Sequence, residues 1–296
     1  MSIGLPQSGD AAMALKRILF GSAAIAGGLL ALSGQSSAQL QQAGTFKNLT
    51  NEQTGPTTVS PTGAFFNAQA GFTNPGDYAS ASLTVNGGTP QDLPAINSTN
   101  FEIGLGFPDQ AAMDAAFPFG TYVIALTAGT QPAISETLNY TADAYTSDTP
   151  KLDAASFNVL QGLRTSLSSL TLNFNPVTPS GLATSAFTFF SIGGSSQGCG
   201  FLTPSATSCT IDPQALSPDT THSWELDFSD RIETTVDGVL TFTDFDVRTD
   251  GSFTTAAATP EPSTWAMMLV GFVGIGYLGR RRMRVAALAR GPIVTP

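Results

Sequence analysis

Trp224-Glu225-Leu226-Asp227-Phe228-Ser229 alternates apolar and polar residues one for one. Successive side chains of a strand point to opposite faces. Trp224, Leu226 and Phe228 therefore line one face, and Glu225, Asp227 and Ser229 the other. The same period recurs upstream. Phe101, Ile103, Leu105 and Phe107 share a face, as do Tyr122, Ile124 and Leu126, and Leu170, Leu172 and Phe174. Ala186 to Ile192 is a nearly continuous apolar run, suited to a strand buried on both faces. Between the runs stand Asn74-Pro75-Gly76-Asp77, Asn86-Gly87-Gly88, Asp237-Gly238 and Asp250-Gly251. These read as turns, because Gly adopts positive φ freely and Asn and Asp come near it. Strands so punctuated predict an all-β fold of one or two tandem β-sandwiches.

Composition bounds the rest. The chain has 296 residues with a formal net charge of −10, two Cys and one His. So few soft ligands exclude zinc-ribbon, iron–sulfur and multi-His metal chemistry. An acidic chain whose only basic run lies near its C-terminus is no nucleic-acid binder. Ser and Thr number 28 and 37, and β-branched Thr suits a pleated surface. A polar stretch ending in Pro, Thr146 to Pro150, is the expected boundary between a first domain at 45–146 and a second at 150–256. Each would have about 100 residues, the usual sandwich size. A single larger sandwich or a jelly roll is the alternative.

Both ends read as addresses. Lys16 and Arg17 precede an uncharged apolar run, Ile18 to Leu32, and then Ser36, Ser37 and Ala38. This is the layout of a signal peptide, 1–38, cut by signal peptidase between Ala38 and Gln39. Without Asp10 and Glu261, which lie in the two ends, 20 of the 22 acidic groups remain between residues 39 and 259, against five basic ones.

At the other end Pro260-Glu261-Pro262-Ser263-Thr264-Trp265 precedes an apolar stretch, Ala266 to Leu278, and Arg280-Arg281-Arg282. The two prolines fix φ and lack amide donors, so the segment stays extended and open to an enzyme. Thirteen apolar residues make a helix of about 20 Å, against a hydrocarbon core of about 30 Å. Trp265 and Tyr277 can sit at the two interfaces, and the arginines can snorkel on the cytoplasmic side. Residues 259–284 resemble the PEP-CTERM sorting signal of Gram-negative surface proteins. The resemblance implies a short transmembrane helix, a cytoplasmic tail at 285–296, and cleavage by an exosortase, a membrane cysteine peptidase. It also implies a polysaccharide-producing host.

Two further segments resemble corners of immunoglobulin-like and fibronectin III-like sandwiches. Asp109 to Phe117 is Ala-rich after Pro108 and predicts a helical turn. Gly120-Thr121-Tyr122 then opens a strand, which makes Tyr122 the corner tyrosine. Antibody domains carry a Cys two residues later; here Ile124 stands there. Leu216-Ser217-Pro218 up to His222 resembles the fibronectin III corner, with His222 in the tyrosine position.

Few residues are left for chemistry. No Gly-x-Ser-x-Gly elbow, His-Glu-x-x-His or P-loop occurs. His222 lies in register with Trp224, Leu226 and Phe228 and reads as a packed corner residue, so no catalytic residue is assigned. Cys199 and Cys209 are not spaced as Cys-x-x-Cys; in an exported chain they read as a disulfide closing a surface loop. Glu225, Asp227, Asp230, Glu233, Asp237, Asp244, Asp246 and Asp250 form an acidic stretch. Extracellular β domains bind Ca2+ weakly through such oxygens. Without an Asp-x-Asp-x-Asp-Gly loop the expectation is a solvated acidic face, no metal and no cofactor.

The sequence therefore predicts a non-enzymatic cell-surface or matrix protein. It would be exported, held briefly at the inner membrane with its body in the periplasm, and then sorted by an exosortase, with exopolysaccharide as a partner. The alternatives are a carbohydrate-binding or carbohydrate-active β protein, and an uncleaved single-pass inner-membrane protein with a periplasmic domain.

Overall fold

The computed structural model describes residues 40–193, 197–258, 266–275 and 277. They form two units, one ending at Ala256 and one beginning at Ala257. The first is all-β with two short α-helices.

Its strands in chain order are β1 Leu40–Gln53, β2 Val59–Phe72, β3 Tyr78–Val85, β4 Gln91–Leu93, β5 Ala95–Asn97, β6 Asn100–Phe107 and β7 Gly120–Ala128. There follow β8 Ile134–Tyr140, β9 Leu170–Asn173, β10 Ser185–Ile192, β11 Gln197–Leu202, β12 Ser208–Ile211, β13 Thr221–Val236 and β14 Val239–Thr254. Helix α1 is Gln110–Ala116 and α2 is Ala154–Leu160. An eight-stranded sheet runs β11-β10-β13-β14-β1-β2-β6-β5; a four-stranded sheet runs β4-β3-β7-β8; β9 and β12 pair alone.

Two cores lie on one face of the long sheet. Phe66, Ala68 and Phe245 pack with Leu83, Ile124 and Leu126 of the four-stranded sheet and Met113 of α1. Phe190, Trp224, Leu226 and Phe253 pack with Leu172 and Ile211 of the β9–β12 pair and Leu160 of α2. Each apolar stripe is the period-two face of its strand.

This differs from a division at 146–150. Strand β14 pairs parallel with β1 from Gln42↔Leu240 to Glu52↔Asp250, so one sheet joins both halves. Gln53 exchanges two hydrogen bonds of 3.0 Å with the backbone of Leu152. The polar stretch is pinned rather than free: Thr146 Oγ1 donates to the Thr178 carbonyl at 2.9 Å, and the Thr178 amide donates to Asp148 at 3.0 Å. The unit also reaches back to Leu40, buried and five residues ahead of the expected start.

Both corners form. Asp109 caps α1 by accepting from the Ala112 amide. The Tyr122 hydroxyl donates to the Pro118 carbonyl at 2.8 Å. His222 Nε2 lies 3.2 Å from the Ser217 carbonyl and does the same job. Asp237-Gly238 is the β13–β14 turn, with both residues at positive φ, as the tight hairpin requires. Asp250-Gly251 is no turn; it lies inside β14. A Cβ on Gly251 would stand 2.4 Å from the Trp224 ring, so this glycine makes room for the indole.

Candidate functional site

Two regions hold candidate function: the polar face of the long sheet and the C-terminal segment. Strand alternation puts Glu225, Asp227, Ser229 and Arg231 of β13 on the face away from the cores. The β14 partners there are Asp250, Arg248, Asp246 and Asp244. Strand β1 adds Phe46 beside Asp244 and Asn48 beside Asp246.

The middle of this face is not solvated, contrary to the expectation from composition, whereas Glu233 and Asp250 are half-exposed and Asp237 is exposed. Asp244 is 0% exposed and Asp246 8%. Strands β10 and β1 flank the β13–β14 pair and shut off its sides. Arg231 grips Asp244 with two bonds, Nε to Oδ1 at 2.6 Å and Nη2 to Oδ2 at 2.7 Å. Its guanidinium lies 4.3 Å from the centre of the Phe242 ring. Arg248 reaches Glu225 at 3.1 Å and Asp250 at 2.9 Å. The two arginines thus lace the acidic row from end to end.

Between them lie Asp227 and Asp246, whose carboxyls depart from ordinary behaviour. Burial first, and then the Asp244 charge, pushes Asp246 up to about 8. Burial and the neighbouring Asp246 hold Asp227 well above the usual carboxylate range. On the core face burial raises Asp230 to about 6, although the Ser180 amide donates to it at 3.1 Å. Burial likewise raises Glu102, which accepts a hydrogen bond from Asn67. Among the described residues no group of three or more His, Cys, Asp or Glu is placed to hold a metal ion.

Cys199 and Cys209 form a disulfide. It ties β11, at the edge of the long sheet, to β12 of the isolated pair. His222 is half-buried, and its ring nitrogen lies against a carbonyl.

The second unit carries the other candidate. Residues 266–275 and 277 are helical. Met267, Leu269, Val270, Phe272, Val273 and Tyr277 are exposed, so the helix is apolar all round. Such a helix belongs in a membrane or against a partner. No helix among the described residues is long and apolar enough to cross a membrane. Ala38, Gln39, Pro260, Glu261, Pro262, Trp265, Arg280, Arg281 and Arg282 lie outside the described residues, as do segments 1–38 and 285–296.

A compact β unit followed by a separate short unit with an apolar helix places the chain's address outside its fold. Comparison with known families identifies that address: residues 258–282 match the PEP-CTERM protein-sorting motif. The motif implies export, processing by an exosortase and sorting to the cell surface. No curated protein matches the chain.

Among solved structures the chain is similar to a Ca2+-stabilized adhesin that helps an Antarctic bacterium bind ice, with 12% identity and a TM-score of 0.24. It is also similar to a 1.5-MDa bacterial ice-binding adhesin, with 12% identity and a TM-score of 0.23. A third is the FN1–FN3 domains of chicken CNTN1, with 11% identity and a TM-score of 0.22. Each likeness covers 74% of this chain, and 50%, 66% and 69% of those chains respectively. Likeness at this level carries no argument about ligands.

Proposed function

We propose that the β unit is a non-enzymatic spacer or matrix-binding module, delivered to the cell surface by its C-terminal segment and retained by exopolysaccharide. The observation that carries the reading is the place of the sorting motif. It begins at residue 258, just after the compact unit ends at Ala256. An exosortase cutting there would release a folded unit with all fourteen strands intact. Signal peptidase would act at the other end, between Ala38 and Gln39, next to the start of β1 at Leu40. Before exosortase cleavage the helix at 266–275, with Trp265 near one interface and Tyr277 and Arg280 to Arg282 near the other, would hold the protein at the inner membrane.

The carboxylates support a structural role. Those of the polar face are laced to arginines or buried, whereas glycoside hydrolysis needs two carboxyls open to a sugar. The test is to apply the protein released from the cell surface to the exopolysaccharide of its own host. Saturable binding without any change in polymer length is the expected result. Shortening of the polymer, abolished by Asp227→Asn or Asp246→Asn, would contradict it.

A further inference from the structure

Among the described residues Lys47 is a deeply buried cation that the polar face does not explain. It stands on β1, a central strand, facing the core, and the residue is 1% exposed. Its Nζ lies 2.6 Å from Oδ1 of Asp114, on α1, and 3.8 Å from Oδ1 of Asp143. The ring of Tyr140 covers the amine at 4.4 Å, and that of Phe119 lies at 5.9 Å. Asp143 is itself held: the Tyr140 hydroxyl donates to its Oδ1, and Gln110 Nε2 donates to its Oδ2 at 3.2 Å. The Tyr145 hydroxyl is buried and has no hydrogen-bond partner. Burial, with the nearby Asp143, pushes the Tyr140 and Tyr145 hydroxyls upward, so both stay protonated. Tyr122 behaves likewise.

A surface ion pair would leave both groups in water. Here a buried primary amine, covered by an aromatic ring, is pressed onto one carboxyl, with a second carboxyl in place to move a proton. We propose that Lys47 and Asp114 join in an intramolecular amide, with Asp143 as the proton relay.

The step balances without any co-reactant. The ammonium of Lys47 gives one proton to Asp143. The free amine attacks Cγ of Asp114, so a C–N bond forms. Asp143 returns the proton to the departing oxygen, a C–O bond breaks, and the nitrogen sheds its second proton to the same oxygen. One water leaves, no atom changes oxidation state, and Asp143 ends as it began. Fixed proximity supplies an effective concentration of about 10⁵ M or more for well-aligned groups. Burial of the nitrogen beneath the Tyr140 ring shields the amide from hydrolysis on that side. The side chains of Asp114 and Asp143 are 32% and 26% exposed, which leaves a path for the departing water.

The bond would close a loop across 67 sequence positions. It would staple β1 to the helix that links the two sheets. A chain outside the cell, beyond repair, gains from such a crosslink as it does from a disulfide.

The test uses the protein released from the cell surface, reduced and alkylated. Its mass, calculated from its observed ends, is expected to fall short by one water. Trypsin is expected to leave the chain uncut after Lys47 and to yield one branched peptide carrying Lys47 and Asp114. Asp143→Ala and Lys47→Arg are each expected to restore the full mass. A wild-type chain of full mass, cut normally after Lys47, would overturn the proposal whether or not the variants fold. A crosslink that persists in Asp143→Ala would overturn the role of Asp143.

Discussion

Arg231→Ala is expected to destabilise the β unit by about 3–5 kcal/mol at neutral pH, the usual cost of breaking a buried pair from one side. Asp244 has no exposed surface, and Arg231 supplies both of its charged hydrogen bonds. Burial already pushes this carboxyl above the usual range, and Arg231 opposes the push. Without the guanidinium the group must stay ionised and unpaired, or take up a proton. Either outcome is unfavourable at pH 7. The substitution also strips the cation from the faces of Phe242 and Phe187, which adds a smaller loss. Replacing both partners together, as Arg231→Met with Asp244→Leu, is expected to recover most of the stability, because no buried charge is then orphaned. Chemical denaturation of the wild type and the two variants gives the comparison. A loss under about 1 kcal/mol for Arg231→Ala would mean that the pair behaves as an exposed one.

The second large effect is a stability that falls as pH rises. In the folded chain Asp227 and Asp246 keep a proton at pH values where the unfolded chain has lost it. Their contribution is therefore complete below the ordinary carboxylate range, near pH 4, and is lost as pH rises through the folded-state value. That value is about 8 for Asp246. Asp230, at about 6, acts in the same direction. One such group changes stability by up to about 1.4 kcal/mol per pH unit, and 1 kcal/mol moves the Tm of a unit this size by about 2–4 °C. Between pH 5 and pH 8 the Tm is expected to drop by about 10 °C. Asp246→Asn mimics the protonated acid and is expected to flatten the slope and raise the Tm at pH 8. A Tm that climbs from pH 5 to pH 8, as ion-paired carboxylates would make it, would contradict this account.

The same residues show how far the sequence could be read. Strands β6, β7 and β13 were legible because each carries its large apolar side chains on one face, which writes period two into the chain. The corners at Tyr122 and His222 were legible because a turn, a cap and a ring must follow at fixed steps. Strand β1 was not. It lies between β14 and β2, carries the polar residues Lys47 and Gln53 at buried positions, and shows no alternation. Its pairing with β14 joins residues about 200 positions apart, which no local pattern records. Without that pairing the chain reads as two domains in tandem.

Gly251 carries a turn signal in a dipeptide, yet the indole of Trp224 needs the space of a missing side chain. Asp227 and Asp246 read as solvated because polar residues opposite an apolar face usually are. Only the position of β13 and β14 in the middle of a wide sheet buries them. Lys47 left one faint trace, as one of only five basic residues between positions 39 and 259. Its neighbours Asp114 and Asp143 come from other elements and could not be assigned to it. The sorting segment was fully legible, since an address read by another enzyme must be written in contiguous residues.

The most direct test of the account is the intact mass and cell fraction of the native protein beside a Pro260→Ala, Pro262→Ala variant. The account predicts a surface or released species that ends near Thr259, and its loss in the variant. A full-length species in the inner membrane, unchanged by the substitutions, would contradict it.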